Sequence, residues 1–138
     1  MTKKADFIKA INEGYASKGE SIVLGAALLD GEAISEAHVK IPLKTLNRHG
    51  LIAGATGTGK TKTIQVLSEQ LSSFGIPVLM MDIKGDFSGI AAIGEEKSFI
   101  TERHAKIGIP YQVSNFPVEL LTLSQQNGIR LRATVSEF

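Results

Sequence analysis

Eight consecutive residues, Gly54-Ala55-Thr56-Gly57-Thr58-Gly59-Lys60-Thr61, match the pattern G-x-x-x-x-G-K-[S/T] in full. With glycine at about 7% of ordinary sequence, four such fixed positions coincide in roughly one chain of this length in a couple of hundred. The setting therefore has to support the match, and it does: an apolar run precedes it and an amphipathic segment follows. Each residue type answers to a chemical need. Gly54, Gly57 and Gly59 allow backbone turns and close approaches that a Cβ would forbid, so that successive N–H groups can curl around phosphate oxygens. A helix starting near Lys60 adds its positive end and its unpaired N–H donors. Lys60 reaches the β and γ phosphates as a compact charge, and the Thr61 hydroxyl joins the coordination shell of Mg²⁺. Thr56 and Thr58 are read as loop positions whose backbone matters more than their side chains. Lys62 is counted with Ala55 and the rest of the loop among the nucleotide-binding residues.

A second cluster, Asp82-Ile83-Lys84-Gly85-Asp86, ends an apolar run. Three readings stand open for it. Asp82 is the Mg²⁺-holding aspartate of a P-loop enzyme; or Asp82-x-x-Gly85 is the γ-phosphate-sensing switch of a GTPase; or Lys84 and Asp86 are solvated turn residues. The GTPase reading is disfavoured, because no Asn-Lys-x-Asp stretch exists to read guanine. The first reading is weakened by Ile83, which stands where an acidic water-polarising residue is expected. On these grounds a Mg²⁺-bound nucleoside triphosphate is the expected ligand, with Lys60, Asp82 and Asp86 as candidate catalytic residues and Thr61 as the metal ligand.

The elements that must hold these residues follow from periodicity. Phe7, Ile8, Ile11 and Tyr15 recur at helical spacing and predict a helix over 4–17. SIVLGAALL (21–29) reads as a strand, Asp30-Gly31 as a hairpin turn, and 37–42 as the returning strand. Leu51-Ile52-Ala53 is a short apolar run leading into the loop. Ile64, Leu67, Leu71 and Phe74 mark one face of a helix closing at Gly75. IPVLMMDI (76–83) has the composition of a strand buried on both faces of a parallel sheet. The order from 50 to 83 is thus a βαβ unit and predicts a doubly wound α/β fold. Beyond it, 86–94 is loop-like, 96–107 a helix, QQNG (125–128) a turn and IRLRATV (129–135) a strand. Two parts are expected: 1–47, a helix and small β unit, and 48–138, the beginning of an ATPase core.

Composition narrows the class. The 138 residues carry 15 Lys plus Arg against 14 Asp plus Glu, with 43% hydrophobic residues and no Cys. A balanced charge provides no global field to recruit nucleic acid or anionic lipid. The lack of cysteine removes disulfide frameworks, thiolate zinc sites and Cys nucleophiles. No apolar stretch approaches the roughly 18 residues of a membrane span, and the N-terminus is no signal peptide, so a cytoplasmic protein is expected. Arg48 and His49, which flank the loop, read better as solvated residues than as base or ribose contacts. Arg130 and Arg132 lie two apart on a predicted strand and share a face. A solvated face is favoured there over a DNA-phosphate contact. His38 and His104, without partners at ligand spacing, are read as structural.

The segment RHGLIAGATGTGKTKTIQVLSEQLSSFGIPVLMMDIKGDFSGIAAIG resembles the HerA/FtsK-type P-loop ATPases, and within them the bacterial HerA-helicase-like proteins of the YjgR kind. LGAALLDGE, IPLKTLNRHG and IRLRATVSEF are also similar to that family. The resemblance implies a RecA-like domain of the additional-strand class, with the family's P-loop on Gly54–Thr61 and its Asp-x-Lys-Gly-Asp/Glu motif on Asp82–Asp86. It also implies hexameric motors that move duplex DNA, with an arginine from a neighbouring subunit completing each site. In such proteins the strand carrying the metal aspartate and catalytic glutamate comes later. No apolar strand ending in Asp-Glu follows residue 86 here, so the chain is expected to be the N-terminal part of a longer ATPase, binding ATP with weak or no turnover by itself. A small-molecule kinase and a non-catalytic nucleotide-sensing or oligomerisation scaffold are the alternatives.

Overall fold

A computed structural model describes residues 3–123 and 127–131. It is an α/β arrangement organised on one β-hairpin. Strand β1 (Ser21–Leu29) pairs antiparallel with β2 (Glu32–Pro42). The reversal at Asp30-Gly31 has φ of 51° and 86°, the double positive φ that a two-residue primed turn requires and that an Asp-Gly pair supplies readily. Register shifts fall between Val23 and Gly25 and between Ala26 and Leu28. These irregularities bend the ribbon, as bulges do. The buried apolar residues among those described, Ile22, Ile34 and Ala37, all belong to the hairpin.

Three helices pack on this ribbon. Helix α1 (Lys3–Gly14) lies on β2 with Phe7, Ile8 and Ile11 half-buried, and Asn12 Nδ2 donates to the Glu36 carbonyl at 3.1 Å. It ends three residues short of the predicted 17, near Gly14, a poor helix former. Helix α2 (Lys60–Ser73) packs on β1. Its last turn closes as predicted, with Gly75 at φ 72° and the Ile76 N–H donating to the Leu71 carbonyl at 3.0 Å. Helix α3 (Ser98–Ile107) packs on β2 and is ended by Gly108 at φ 66°. A Cβ on Gly108 would lie 2.6 Å from the Ser35 carbonyl oxygen, so the helix end meets the hairpin where only glycine fits.

The parallel sheet expected around the loop is not formed. Neither 51–53 nor 76–83 contains a strand, and the sheets among the described residues are the β1–β2 hairpin and a parallel pair, β3 (Leu121–Thr122) with β4 (Ile129–Arg130). Apolar composition drives burial but does not provide a neighbour, and a strand exists only through its ladder. Without one, Leu51, Leu79, Met81 and Ile83 remain between 81% and 99% exposed. Met80 is the inward contact of the second run: its sulfur accepts from the buried Ser68 hydroxyl of α2 at 3.3 Å. The loop-like 86–94 segment holds a 3₁₀ turn over Ser88–Ala91. Of the predicted 129–135 strand, Ile129–Arg130 is observed, while residues 132–135, like Gln125 and Gln126 of the predicted turn, lie outside the described residues. No helix among the described residues is long and apolar enough to cross a membrane.

Candidate functional site

The glycine-rich loop is an exposed turn ending on the N-terminus of α2. Gly57 and Gly59 take φ of 83° and 94°, the left-handed conformations that their lack of Cβ permits. Gly54 is required for space: a Cβ there would stand 2.5 Å from the Thr58 hydroxyl oxygen. That hydroxyl donates to the Ala55 carbonyl at 2.8 Å, and the Thr58 N–H points to the same carbonyl at 3.4 Å. The Lys60 ammonium folds back to donate to it too, at 2.7 Å. One carbonyl thus gathers three donors and draws the loop into a ring closed by the lysine. Thr58 therefore contributes through its side chain as well as its backbone, contrary to the expectation for it.

Gly59 precedes the first turn of α2, no side chain caps that turn, and no acidic residue lies within it. The helix end keeps its positive character, which suits an anion. Thr61 lies half-buried in this first turn. Lys62 projects elsewhere: together with Gln65, Glu69 and Asp86 it lines a groove of about 430 Å³ along the flank of α2, a groove that none of residues 54–61 lines. Partial burial raises the Glu69 carboxyl above its ordinary value, and the Lys62 cation partly offsets this.

Asp82 is engaged by its own loop. Its Oδ1 accepts the N–H groups of Lys84 and Gly85 at 3.2 and 2.9 Å, and its Oδ2 accepts that of Phe87 at 2.8 Å. The Phe87 N–H is the largest cause holding the carboxyl below its ordinary value of 3.8, with those of Gly85 and the neighbouring amides adding to it. Gly85, at φ 78°, gives the turn its hand. The Asp86 carbonyl accepts from Gln65 Nε2 at 3.2 Å, which ties the 82–87 loop to α2 one turn beyond Thr61, and Asp86 is among the residues that line the groove.

Arg48 and His49 are exposed, and the Arg48 N–H closes a turn on the Thr45 carbonyl at 3.3 Å. Arg130 sits on β4; Arg132 lies outside the described residues. The two histidines hold the end of α3. His38 Nε2 bonds the Ile107 carbonyl and His104 Nδ1 the Ile109 carbonyl, both at 3.0 Å, and the His104 ring lies against Tyr111. Their reading as structural residues agrees with these bonds. Two glutamines went unmarked by sequence reasoning: Gln65, and Gln70, whose amide bonds both the N–H and the carbonyl of Val23 at 2.8 Å. Their partners lie 21 and 47 residues away, and nothing in a polar helical residue announces such a partner.

Over 53 residues the chain is 42% identical to the DNA double-strand break repair helicase HerA of Sulfolobus acidocaldarius, and over 49 residues 41% identical to that of Saccharolobus solfataricus. The aligned stretches cover 38% and 36% of this chain but 11% and 10% of those relatives, so the chain spans about a tenth of the length of the curated relatives it matches. No solved structure matches. The helicase HerA-like C-terminal family profile matches residues 28–138, more than half of the sequence, and the chain belongs to that family.

Proposed function

We propose that the chain is the Mg-ATP-binding portion of a HerA-like DNA helicase or translocase, with the triphosphate on Gly54–Thr61. The observation that carries this reading is the glycine loop closed by Lys60 ahead of an uncapped helix N-terminus, in a chain of this family. Gly54 to Gly59 present their N–H groups to phosphate oxygens. Lys60 exchanges the Ala55 carbonyl, a neutral acceptor, for the charged β and γ oxygens, which bind an ammonium more strongly. Thr61 offers one hard hydroxyl oxygen, fitting a Mg²⁺ ion that keeps several waters and arrives on phosphates. That ion, when bound, neutralises charge on the β and γ groups.

Asp82 acts on the shape of the 82–87 loop, since both its carboxylate oxygens already accept backbone N–H groups. With Asp82 so engaged, turnover by these residues alone is low. The RecA-like core, the homo-hexamer, the DNA substrate and the cytoplasmic setting belong to the same proposal. They rest on family membership, on the relatives' printed role in DNA double-strand break repair, and on the resemblance.

The test is calorimetry with Mg-ATP and Mg-GTP on the wild type and on Lys60→Ala, with phosphate release followed in the same samples. ATP binding that requires Lys60, with negligible release, is the expected outcome. A preference for GTP, or indifference to nucleotide, would sink the proposal. Release that vanishes in Lys60→Ala would assign Asp82 or Asp86 the catalytic role and remove the low-turnover statement.

A further inference from the structure

Gln70 lies ten residues beyond Lys60 on the same helix, about 15 Å along its axis at 1.5 Å per residue. Its amide accepts the Val23 N–H and donates to the Val23 carbonyl, both at 2.8 Å. A planar amide that meets both polar groups of one residue reproduces what a neighbouring peptide unit would offer. It occupies the place of a further strand beside β1. Val23 itself stands between the fully buried Ile22 and the first register shift of the ribbon. The clasp is thus made at the best-packed part of the hairpin, by the helix that carries the phosphate-binding loop at its other end.

We propose that the Gln70 amide is the positioning group that seats the phosphate-binding helix on the hairpin, so that triphosphate binding at Gly54–Thr61 and order at the β1 edge near Val23 stabilise one another. The proposal rests on the ATP reading above. Its physical basis is conformational entropy. A phosphate held at the N-terminus of α2 restricts the orientations of the helix, and the clasp then closes with less ordering left to do. Conversely, a closed clasp holds the loop in fewer states before the ligand arrives. Linkage makes the two effects equal in size. The α-helix between the two ends is a stiff element, which lets restraint at one end reach the other.

Amide hydrogen exchange at Val23, measured in the intact protein with and without Mg-ATP, tests the coupling without any variant. Mg-ATP is expected to slow exchange at Val23 by about fivefold, the lower range of such couplings. Gln70→Leu, which loses both bonds at similar volume, should weaken Mg-ATP binding by a like factor and abolish the nucleotide-dependent part of the Val23 protection. Gln70→Glu keeps the acceptor for the Val23 N–H and loses the donor, and should fall between. A purely structural glutamine would lower the melting temperature and leave that nucleotide dependence intact. Tight Mg-ATP binding by the wild type with unchanged exchange at Val23 overturns the coupling while sparing the ATP reading. A wild type that does not bind Mg-ATP at all overturns both, and is recognised before any variant is made.

Discussion

The hairpin and the segments that flank α2 divide the protein's tasks unevenly. Residues 21–42 hold the described core, with Ile22 and Ala37 fully buried and a ladder whose turn is fixed by Asp30-Gly31. Residues 51–62 and 76–86 hold the candidate chemistry, and most of them are exposed. Stability and reactivity therefore live in different places, joined through α2. Burial makes one region sensitive to volume. Exposure leaves the other sensitive to charge and backbone conformation.

The sharpest test of that division removes volume from the hairpin. Ile22→Ala is expected to cost about 3 kcal/mol of unfolding free energy by chemical denaturation, as for other fully buried isoleucines. A loss under 1 kcal/mol would mean that the core lies elsewhere. Gly108→Ala probes the junction of α3 with the hairpin, and about 2 kcal/mol is expected from the positive φ and the Ser35 carbonyl together. Unchanged thermal stability would show that this helix end is free to shift. On the other side of the comparison, Lys60→Ala should weaken Mg-ATP roughly tenfold to a hundredfold, the value of a hydrogen bond to a charged group. The denaturation midpoint should barely move.

Much of this was legible in the sequence where the signal is local. Periodicity places α1 and α2 to within a few residues, 96–107 reads as a helix close to α3, Asp-Gly marks the turn, and Gly75 marks the close of α2. The returning strand begins at Glu32, five residues before the predicted start at 37, because its first half, Glu32 to Glu36, lacks clear alternation. The glycine-rich loop is legible for the same reason as the turn: its glycines act through their own backbone. Pairing is not local, and the apolar runs at 51–53 and 76–83 carry the composition of strands without specifying a partner. The reach of Gln65 to Asp86 and of Gln70 to Val23 depends on how α2 lies against distant residues, which no spacing rule contains.

Two finer predictions refine the comparison. Because backbone N–H groups hold the Asp82 carboxyl below 3.8, the order that it lends to 82–87 is complete above that value and lost as pH falls through its lower folded value. The Gly85 and Phe87 amide resonances should therefore titrate with a midpoint below 3.8. A midpoint at or above it would mean that the turn does not form in solution. The smallest effect is expected at Ile83, at 99% exposure: Ile83→Ser should change unfolding free energy by less than about 0.5 kcal/mol. A larger loss would reveal that this run is covered in solution.

The unpaired 76–83 run also bears on solubility. A stretch of exposed Val78, Leu79 and Met81 with free backbone groups is the kind of template on which chains stack into intermolecular sheets. Its ends resist this. Pro77 offers no N–H to an incoming strand, and Asp82, Lys84 and Asp86 place alternating charges at the other end, where stacked copies would oppose like to like. The residues that shape the 82–87 turn thereby act as gatekeepers against aggregation, and neutralising them should lower the concentration at which the protein precipitates.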